Sequence, residues 1–533
     1  MMNKIWNKLI TTVAGGAVLI AFFSILAKII GLLRDRLLAA TFGAGRSLDI
    51  YYASFRLPDF LFNTLVLGAL AAAFIPVFIR LWDTEKGRAH ELVNIVLTKL
   101  VLLMTVLAIV GIIFAPIIVG ILAPGFDMAA QEETITLTRI MLLSIIFFTV
   151  SNVFSGTLNA LRDFVPYAIA PIFYNVGIIL GVIVLYPTFG MKGLAIGVVM
   201  GAFLHLLVQY PFVRKHGWRY KFIFKRTVET THMFWLMVPR AIGLAANQIN
   251  QIVITSVAST LAVGSIAVFN LANNLQSFPI SIFGLSFAIA AFPVMSRAST
   301  ANNTKDFRGS FSITFRRILF FIIPISVLVL VLRAQIVRIV LGAGFFDWED
   351  TYFTAQVLGV FAISLFAQGT VPLLARAFYS FENTRTPVLI GIISVFINIF
   401  LSIYLSAKMG IIGLGVAFTV ANIVNMLLLL IMLREKVGDL DDKAIVRSVF
   451  KISINSLLAG LTAYGILNLV APAVDMQSFL GIFIQASLAV FGAAVVYLMV
   501  SSFTNMSEMK VITNFFQQYI RPLLKLNNGP DKN

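Results

Sequence analysis

The sequence predicts an all-α, polytopic membrane protein of about fourteen transmembrane helices, built as two parallel six-helix repeats plus two additional C-terminal helices. Three observations predict it. Hydrophobic residues make up 59% of the chain and charged residues 12%, with a mean hydropathy of +0.95, which leaves too little polar surface to wrap a globule in water. The apolar residues fall in long runs. A helix needs about 20 residues to cross a hydrocarbon core about 30 Å thick, where the backbone must satisfy its own hydrogen bonds. Uninterrupted runs of this length exclude a β-barrel. The third observation is a duplication: Ala72-Ala73-Phe74-Ile75-Pro76-Val77 recurs as Ala290-Ala291-Phe292-Pro293-Val294, Pro166 recurs as Pro387, and Gly190-Met191-Lys192-Gly193-Leu194 recurs as Gly410-Ile411-Ile412-Gly413-Leu414. Their offsets, 217, 221 and 220 residues, mark one duplicated unit, and an even number of spans per unit makes the two copies parallel.

The expected spans are 11–33, 50–79, 93–123, 135–161, 166–187, 190–213, 232–258, 262–295, 312–341, 352–378, 386–406, 410–433, 446–471 and 478–503. Lys4 and Lys8 precede the first, which is read as a retained helix because it is long, contains Lys28 and lacks a small-residue cleavage site. Residues 1–213 form an N-terminal six-helix lobe, 214–231 a basic linker, 232–434 a C-terminal six-helix lobe, and 446–503 the two added helices. The tail 504–533 places Met509, Ile512, Phe516, Ile520 and Leu523 at helical spacing beside Lys510, Arg521 and Lys525, the pattern of an amphipathic helix on a membrane surface.

Basic residues set the expected orientation. Arg214, Lys215, Arg219, Lys221, Lys225 and Arg226 follow span six, Arg297, Lys305, Arg308, Arg316 and Arg317 follow span eight, and Arg434, Lys436, Lys443 and Arg447 follow span twelve. The opposite loops carry Asp127, Glu132, Glu133, Asp347, Glu349 and Asp350, so the positive-inside rule puts both termini in the cytoplasm. Much of the net charge of +17 is then topology and contact with anionic membrane lipids, and nucleic acid is not an expected partner.

Against this apolar background, charge returns in the first two spans at Lys28, Arg34, Asp35, Arg36, Asp49, Arg56 and Asp59. An ionisable group at membrane depth costs about 2.5–3.5 kcal/mol on insertion scales, so it normally faces a wet cavity, a partner or a ligand. Arg34, Asp35, Arg36 and Arg46 also have a plainer reading as the loop after span one. Arg56 and Asp59 flank Pro58 well inside an apolar run, close enough along a helix to pair with each other. Proline there is expected to break the helix and turn carbonyls toward a cavity. The matching stretch of span eight, with Asn270, Asn273, Asn274, Gln276 and Ser277, is polar without charge. The expected cavity is therefore basic, and arginine's planar fork suits a phosphate.

Enzymatic chemistry finds no support. The chain has no cysteine, and His90, His205, His216 and His232 lack ligand spacing. No phosphate-binding glycine loop is present. Asp441-Asp442 is read as a solvated charge run.

Several motifs together resemble the MurJ (MviN) family of lipid II flippases. They are Gly31-Leu32-Leu33-Arg34-Asp35, Phe42-Gly43-Ala44-Gly45, Asp49, Phe55-Arg56-Leu57-Pro58-Asp59, the run Gly68 to Pro76, Thr157-Leu158-Asn159-Ala160-Leu161, Ser277-Phe278-Pro279, and Arg376-Ala377-Phe378-Tyr379 with Asn383 to Pro387. The resemblance extends from span one to span twelve. It implies the fold of the multidrug/oligosaccharidyl-lipid/polysaccharide exporter superfamily and movement of an undecaprenyl-diphosphate-linked peptidoglycan precursor to the outer leaflet of a bacterial cytoplasmic membrane.

By the same resemblance Arg34 and Asp35 lie in a central cavity, Lys28 takes the place of a cavity arginine, Asp49 is a functional acid, and the last two helices hold the lipid tail. Where the family carries further arginines this chain has Asn63 and Asn274. The implied binding set is thus Lys28, Arg34, Asp35, Arg36, Asp49, Arg56, Asp59, Asn63, Asn273, Asn274 and Gln276. Asn398, Ser402 and Thr419 are the remnants of a family cation site on spans seven, eleven and twelve, without its carboxylates. No cofactor is expected. The partners implied are a polyprenyl-diphosphate-linked glycan and other cell-wall synthesis proteins. The alternatives are a flippase for another polyprenyl-linked oligosaccharide, a non-transporting cell-wall scaffold, and a drug or cation antiporter, which would prefer an acidic cavity.

Overall fold

The structure, a computed structural model, describes residues 13–510 and 513. No strand occurs among them. The helices are α1 (Val13–Phe42), α2 (Arg46–Ser54), α3 (Arg56–Phe62), α4 (Gly68–Thr84), α5 (Lys86–Leu122), α6 (Met128–Met141), α7 (Ser144–Ala160), α8 (Phe164–Leu180), α9 (Tyr186–Phe189) and α10 (Met191–Leu207). They continue as α11 (Tyr210–Lys215), α12 (Val228–Ser259), α13 (Ser265–Pro279), α14 (Ser286–Thr300), α15 (Thr304–Val331), α16 (Arg333–Leu341), α17 (Trp348–Ser380), α18 (Arg385–Val437), α19 (Asp442–Val470) and α20 (Phe479–Phe503).

Among the described residues ten helical segments are long and apolar enough to cross a membrane. One of them, the 53-residue α18, covers two expected spans, 386–406 and 410–433, with Gly410 at φ 58° between them. The expected spans 11–33, 50–79 and 232–258 fall on helices outside those ten. The first expected boundary moves: α1 runs on to Phe42, so Arg34, Asp35 and Arg36 are helical residues and not a loop. A paired charge does not end a helix. Gly43 does, at φ 61°, where a side chain would be strained. The expected span 50–79 is broken beside Pro58, whose missing N–H leaves the Ser54 carbonyl without its helical partner. The break lies at Phe55, and Pro58 sits in the first turn of α3, where its missing N–H costs little.

The duplication is visible in the backbone. A π-helical turn, Asn63–Leu67, links α3 to α4, and another, Ile280–Leu285, links α13 to α14. Gly190 and Gly410 share a φ of 59° and 58°. Three residues beyond each, a Cβ on Gly193 would come within 2.4 Å of the Leu185 carbonyl oxygen, and one on Gly413 within 2.2 Å of that of Leu405. The expected tail helix lies outside the described residues beyond Lys510.

The chain forms two compact units. The first holds residues through Leu271 with 340–353 and 395–414. Its core gathers Phe74, Phe78, Leu97, Val153 and Phe154 from α4, α5 and α7. Helices α8 and α10 meet through glycine, so closely that a Cβ on Gly177 would fall 2.2 Å from the Gly201 Cα. One buried polar network is satisfied: Gln209 donates to the Ser151 hydroxyl at 2.7 Å and accepts from Ser155 at 2.8 Å, and Ser151 meets His205 Nδ1 at 2.6 Å.

The second unit holds residues 272–339, 354–394 and those from Gly415 on. Phe307, Phe311, Phe315, Ile318 and Ile322 form the inner face of α15, packed with residues of α17, α19 and α20. The Tyr497 hydroxyl donates to the Phe320 carbonyl at 2.7 Å. The buried Glu508 pairs with Arg316 at 2.7 Å and accepts from Ser448 at 2.9 Å, fixing the chain after α20. Asp441 and Asp442 are ion-paired as well as solvated: Arg434 reaches Asp442 at 2.8 Å, and Ser312 donates to Asp441 at 2.8 Å.

Candidate functional site

The charged residues of α1 and α3 converge within the first unit. Arg34 donates from Nε and Nη2 to one oxygen of Asp35, at 3.0 and 2.7 Å, and from Nη1 to the Asn175 carbonyl oxygen of α8 at 3.0 Å. Asn175 is aimed by its own amide, which donates to the Pro171 carbonyl at 2.9 Å. The Asp35 side chain is 4% exposed and that of Arg34 21%. A half-buried arginine so close to a buried carboxylate is held as an ion pair, and its charge is largely matched.

Arg56 opens α3 and reaches across to other helices. Its Nε donates to the Thr255 hydroxyl of α12 at 2.6 Å and its Nη2 to the Asn270 side-chain oxygen of α13 at 2.7 Å. Asn270 is oriented in turn by donating to the Ile266 carbonyl at 2.7 Å. The expected pair between Arg56 and Asp59 is not formed: no salt bridge joins them, although each lies in the other's field. The guanidinium is committed to two neutral acceptors on neighbouring helices instead. Nη1 of Arg56 carries no protein partner among the described residues, and neither does the half-buried carboxylate of Asp59.

Tyrosines fill the space between the two arginines. Tyr52 lies within electrostatic reach of Arg34, Asp35 and Arg56, and Tyr174 within reach of Asp59 and Arg34. Tyr51 stacks edge-on to Tyr52, with ring centroids 5.5 Å apart. The Tyr52 hydroxyl is buried without a hydrogen-bond partner among the described residues. The cluster thus offers a phenol, one free edge of a guanidinium and one free carboxylate. Within the cluster Arg34 and Arg56 are matched in number by Asp35 and Asp59.

The remaining predicted residues have other places. Asp49 is 2% exposed and accepts the backbone N–H of Gly264 at 2.6 Å and of Ala267 at 2.9 Å, so it caps α13. Arg36 donates to the Val340 carbonyl at 3.3 Å. Lys28 is half-buried on α1, with no hydrogen bond or ion pair to the cluster, and Asn63 begins the first π turn. In the second unit Gln276 is 1% exposed; it donates to Asn273 at 2.9 Å and accepts from Gln368 at 2.9 Å, so it positions Asn273. The Asn274 carbonyl accepts from Ser277 at 2.8 Å.

The remnants of a cation site do not fit a cation. Asn398 donates to the Asn250 side-chain oxygen at 2.7 Å and accepts from Ser402 at 3.3 Å, while Thr419 donates to the Val360 carbonyl at 2.9 Å. Oxygens that would coordinate an ion are engaged by N–H and O–H donors, and among the described residues no cluster of three or more His, Cys, Asp or Glu exists.

Sequence reasoning missed Tyr51, Tyr52, Tyr174, Asn175 and Thr255, and passed over Asn270. Aromatic and amide residues in apolar runs are ordinary packing groups, and only their convergence on arginine distinguishes them. Asn175 follows Pro171 by one helical turn, the one local signal in the chain that its amide is anchored.

Residues 38–485 match the family described as Lipid II flippase MurJ. A probable lipid II flippase MurJ of Thermotoga maritima is 29% identical over 442 residues, covering 82% of this chain and 87% of its own length. A lipid II flippase MurJ of Burkholderia cenocepacia is 27% identical over 431 residues, covering 78% and 82%. The fold is similar to a solved lipid II flippase MurJ in an inward closed conformation, with a TM-score of 0.76 at 25% identity, over 94% of this chain and 100% of that one. An inward-facing multidrug resistance MATE family transporter, at a TM-score of 0.68 and 15% identity over 80% and 99%, shares the fold alone. With most of its length matched, the chain belongs to the lipid II flippase MurJ family.

Proposed function

We propose that this chain is a flippase that carries lipid II, the undecaprenyl-diphosphate-linked peptidoglycan precursor, from the inner to the outer leaflet of the bacterial cytoplasmic membrane. It is a transporter and not an enzyme. The observation that carries this reading is the family match over residues 38–485. Transport proceeds by alternating access between the two repeats, with both termini in the cytoplasm.

The physical task is to take a diphosphate and its sugars through a region of low dielectric while the polyprenyl tail stays in lipid. Arg56, through its free Nη1, and the Tyr52 hydroxyl meet the diphosphate with charge-assisted and neutral hydrogen bonds. Arg34, already matched by Asp35, supports the field and holds Asn175. In the first unit Lys28 and Asn63 are the candidates for the glycan, whose hydroxyls suit amine and amide groups.

The test is restoration of outward lipid II movement in bacterial cells depleted of their own flippase, comparing wild type with Arg34→Ala at matched membrane levels. Rescue by wild type and its loss in the variant is the expected result. A well-inserted wild type that fails to rescue overturns the reading, in favour of another polyprenyl-linked glycan or a scaffold role.

A further inference from the structure

The Arg56 cluster contains one group that the flippase reading leaves unused and works against. Asp59 sits one turn beyond Arg56, half-buried within an apolar run, and among the described residues its carboxylate carries no hydrogen bond or ion pair. Asp35 differs, because Arg34 holds it at 2.7 Å. With both aspartates ionised, two positive charges face two negative ones. A diphosphate would then enter a site with no net attraction and one unscreened like charge. With a proton on Asp59 the same four residues carry a net positive charge, and the acid becomes a hydrogen-bond donor.

Among the described side chains no other ionisable group answers Asp59. The fields that reach it come from Arg56 on its own helix and Tyr174 of α8. Among the other helices packed against α3, α2 turns Tyr51 and Tyr52 toward Arg34 and Asp35, Asp49 toward α13, and Arg46 toward Asp127. On α5, Lys99 lies over Phe234, His90 against Trp82, and Arg88 pairs with Glu229 of α12. On α12, His232 lines a surface pocket with Arg226 and Trp235. On α6, Arg139 donates to the Ile112 carbonyl, Glu132 is exposed and Glu133 half-buried. Helix α7 and the first π turn contain no ionisable side chain.

We propose that Asp59 is a proton-binding site linked to the substrate: the diphosphate binds beside Arg56 and Tyr52 together with one proton, taken from solvent on the side of entry and carried on the Asp59 carboxyl. This rests on the flippase reading above. A diphosphate diester keeps its two charges between about pH 5 and 9, so any proton taken up on binding belongs to the protein. Linkage then requires affinity to fall as pH rises, by up to about tenfold per unit once Asp59 is ionised in the free protein.

The test is binding of a fluorescent short-chain polyprenyl-diphosphate disaccharide to the full chain in detergent or nanodiscs, between pH 5 and 9. Wild type is expected to bind progressively more weakly with rising pH, Asp59→Asn to bind with a flat profile at least as tightly as wild type at low pH, and Asp59→Glu to restore the slope. A flat profile for wild type overturns the proposal while leaving the flippase reading intact. A slope that persists in a folded Asp59→Asn also overturns it. No binding by wild type at any pH overturns the flippase reading and this proposal together. Should Asp59→Asn fail to fold, proton uptake on ligand binding to wild type, read as buffer-dependent heat by calorimetry, decides: one proton supports the site and none removes it.

Discussion

Arg56 donates from Nε to the Thr255 hydroxyl at 2.6 Å, joining α3 to α12, and does not pair with Asp59 on its own helix. The choice has an energetic logic. Neutral acceptors on two neighbouring helices hold the guanidinium in place, so its Nη1 edge stays open to a ligand.

Arg56→Lys tests that geometry. A lysine keeps the charge but lacks the planar fork that reaches Thr255 and Asn270 together. Loss of one hydrogen bond to a charged group is about 1.5–3 kcal/mol, so lipid II flipping in proteoliposomes should fall by about tenfold or more at unchanged protein insertion. An unchanged rate would mean that Arg56 is only a packing group.

Asp35→Asn should destabilise the protein more than removing both partners. Asp35 is buried beneath Arg34, and taking away one charge of such a pair strands the other. The expected cost is about 3 kcal/mol, the low end of the buried-pair range, because the Arg34 side chain retains 21% exposure. The double variant Arg34→Met with Asp35→Leu should recover thermal stability and still fail to support transport. Recovery of both would show the pair to be purely structural.

Asp49→Ala removes the cap of α13. Two backbone N–H groups, of Gly264 and Ala267, lose their acceptor, and a helix N-terminus loses its matching negative charge. A loss of about 1–2 kcal/mol is expected, read as a lower melting temperature of the purified protein and earlier hydrogen exchange at residues 264–267. Equal exchange in variant and wild type would contradict the capping role.

The amide pair Asn250–Asn398 should make the protein indifferent to sodium. Its oxygens are occupied by protein donors and no carboxylate joins them. Melting temperatures in sodium chloride and in choline chloride at equal ionic strength should coincide. A sodium-specific rise would show that the amides rearrange to bind the ion.

Much of the fold was legible because lipid leaves few options. Runs near 20 apolar residues are helices, and the described residues of each expected span fall largely on helical structure. The duplicated Gly-x-x-Gly at 190 and 410 signalled a backbone feature that recurs with φ of 59° and 58°. Boundaries were less legible: the charges at Arg34–Arg36 read as a helix end, yet α1 absorbs them because Asp35 and Asn175 satisfy Arg34. A tertiary contact overrode a local rule.

The sequence by itself determined that this is a duplicated helical membrane protein with charge placed at depth in its first two spans, since hydropathy and insertion cost act on each segment alone. Only the tertiary structure decided what that charge does. Whether a carboxylate caps a helix, as Asp49 does, pairs with arginine, as Asp35 does, or stands unpaired among the described residues, as Asp59 does, depends on which helices arrive beside it. Electrostatic and hydrogen-bond energies act over a few ångströms, and residues such as Arg34 and Asn175, 141 positions apart, come within that range only when the chain is folded.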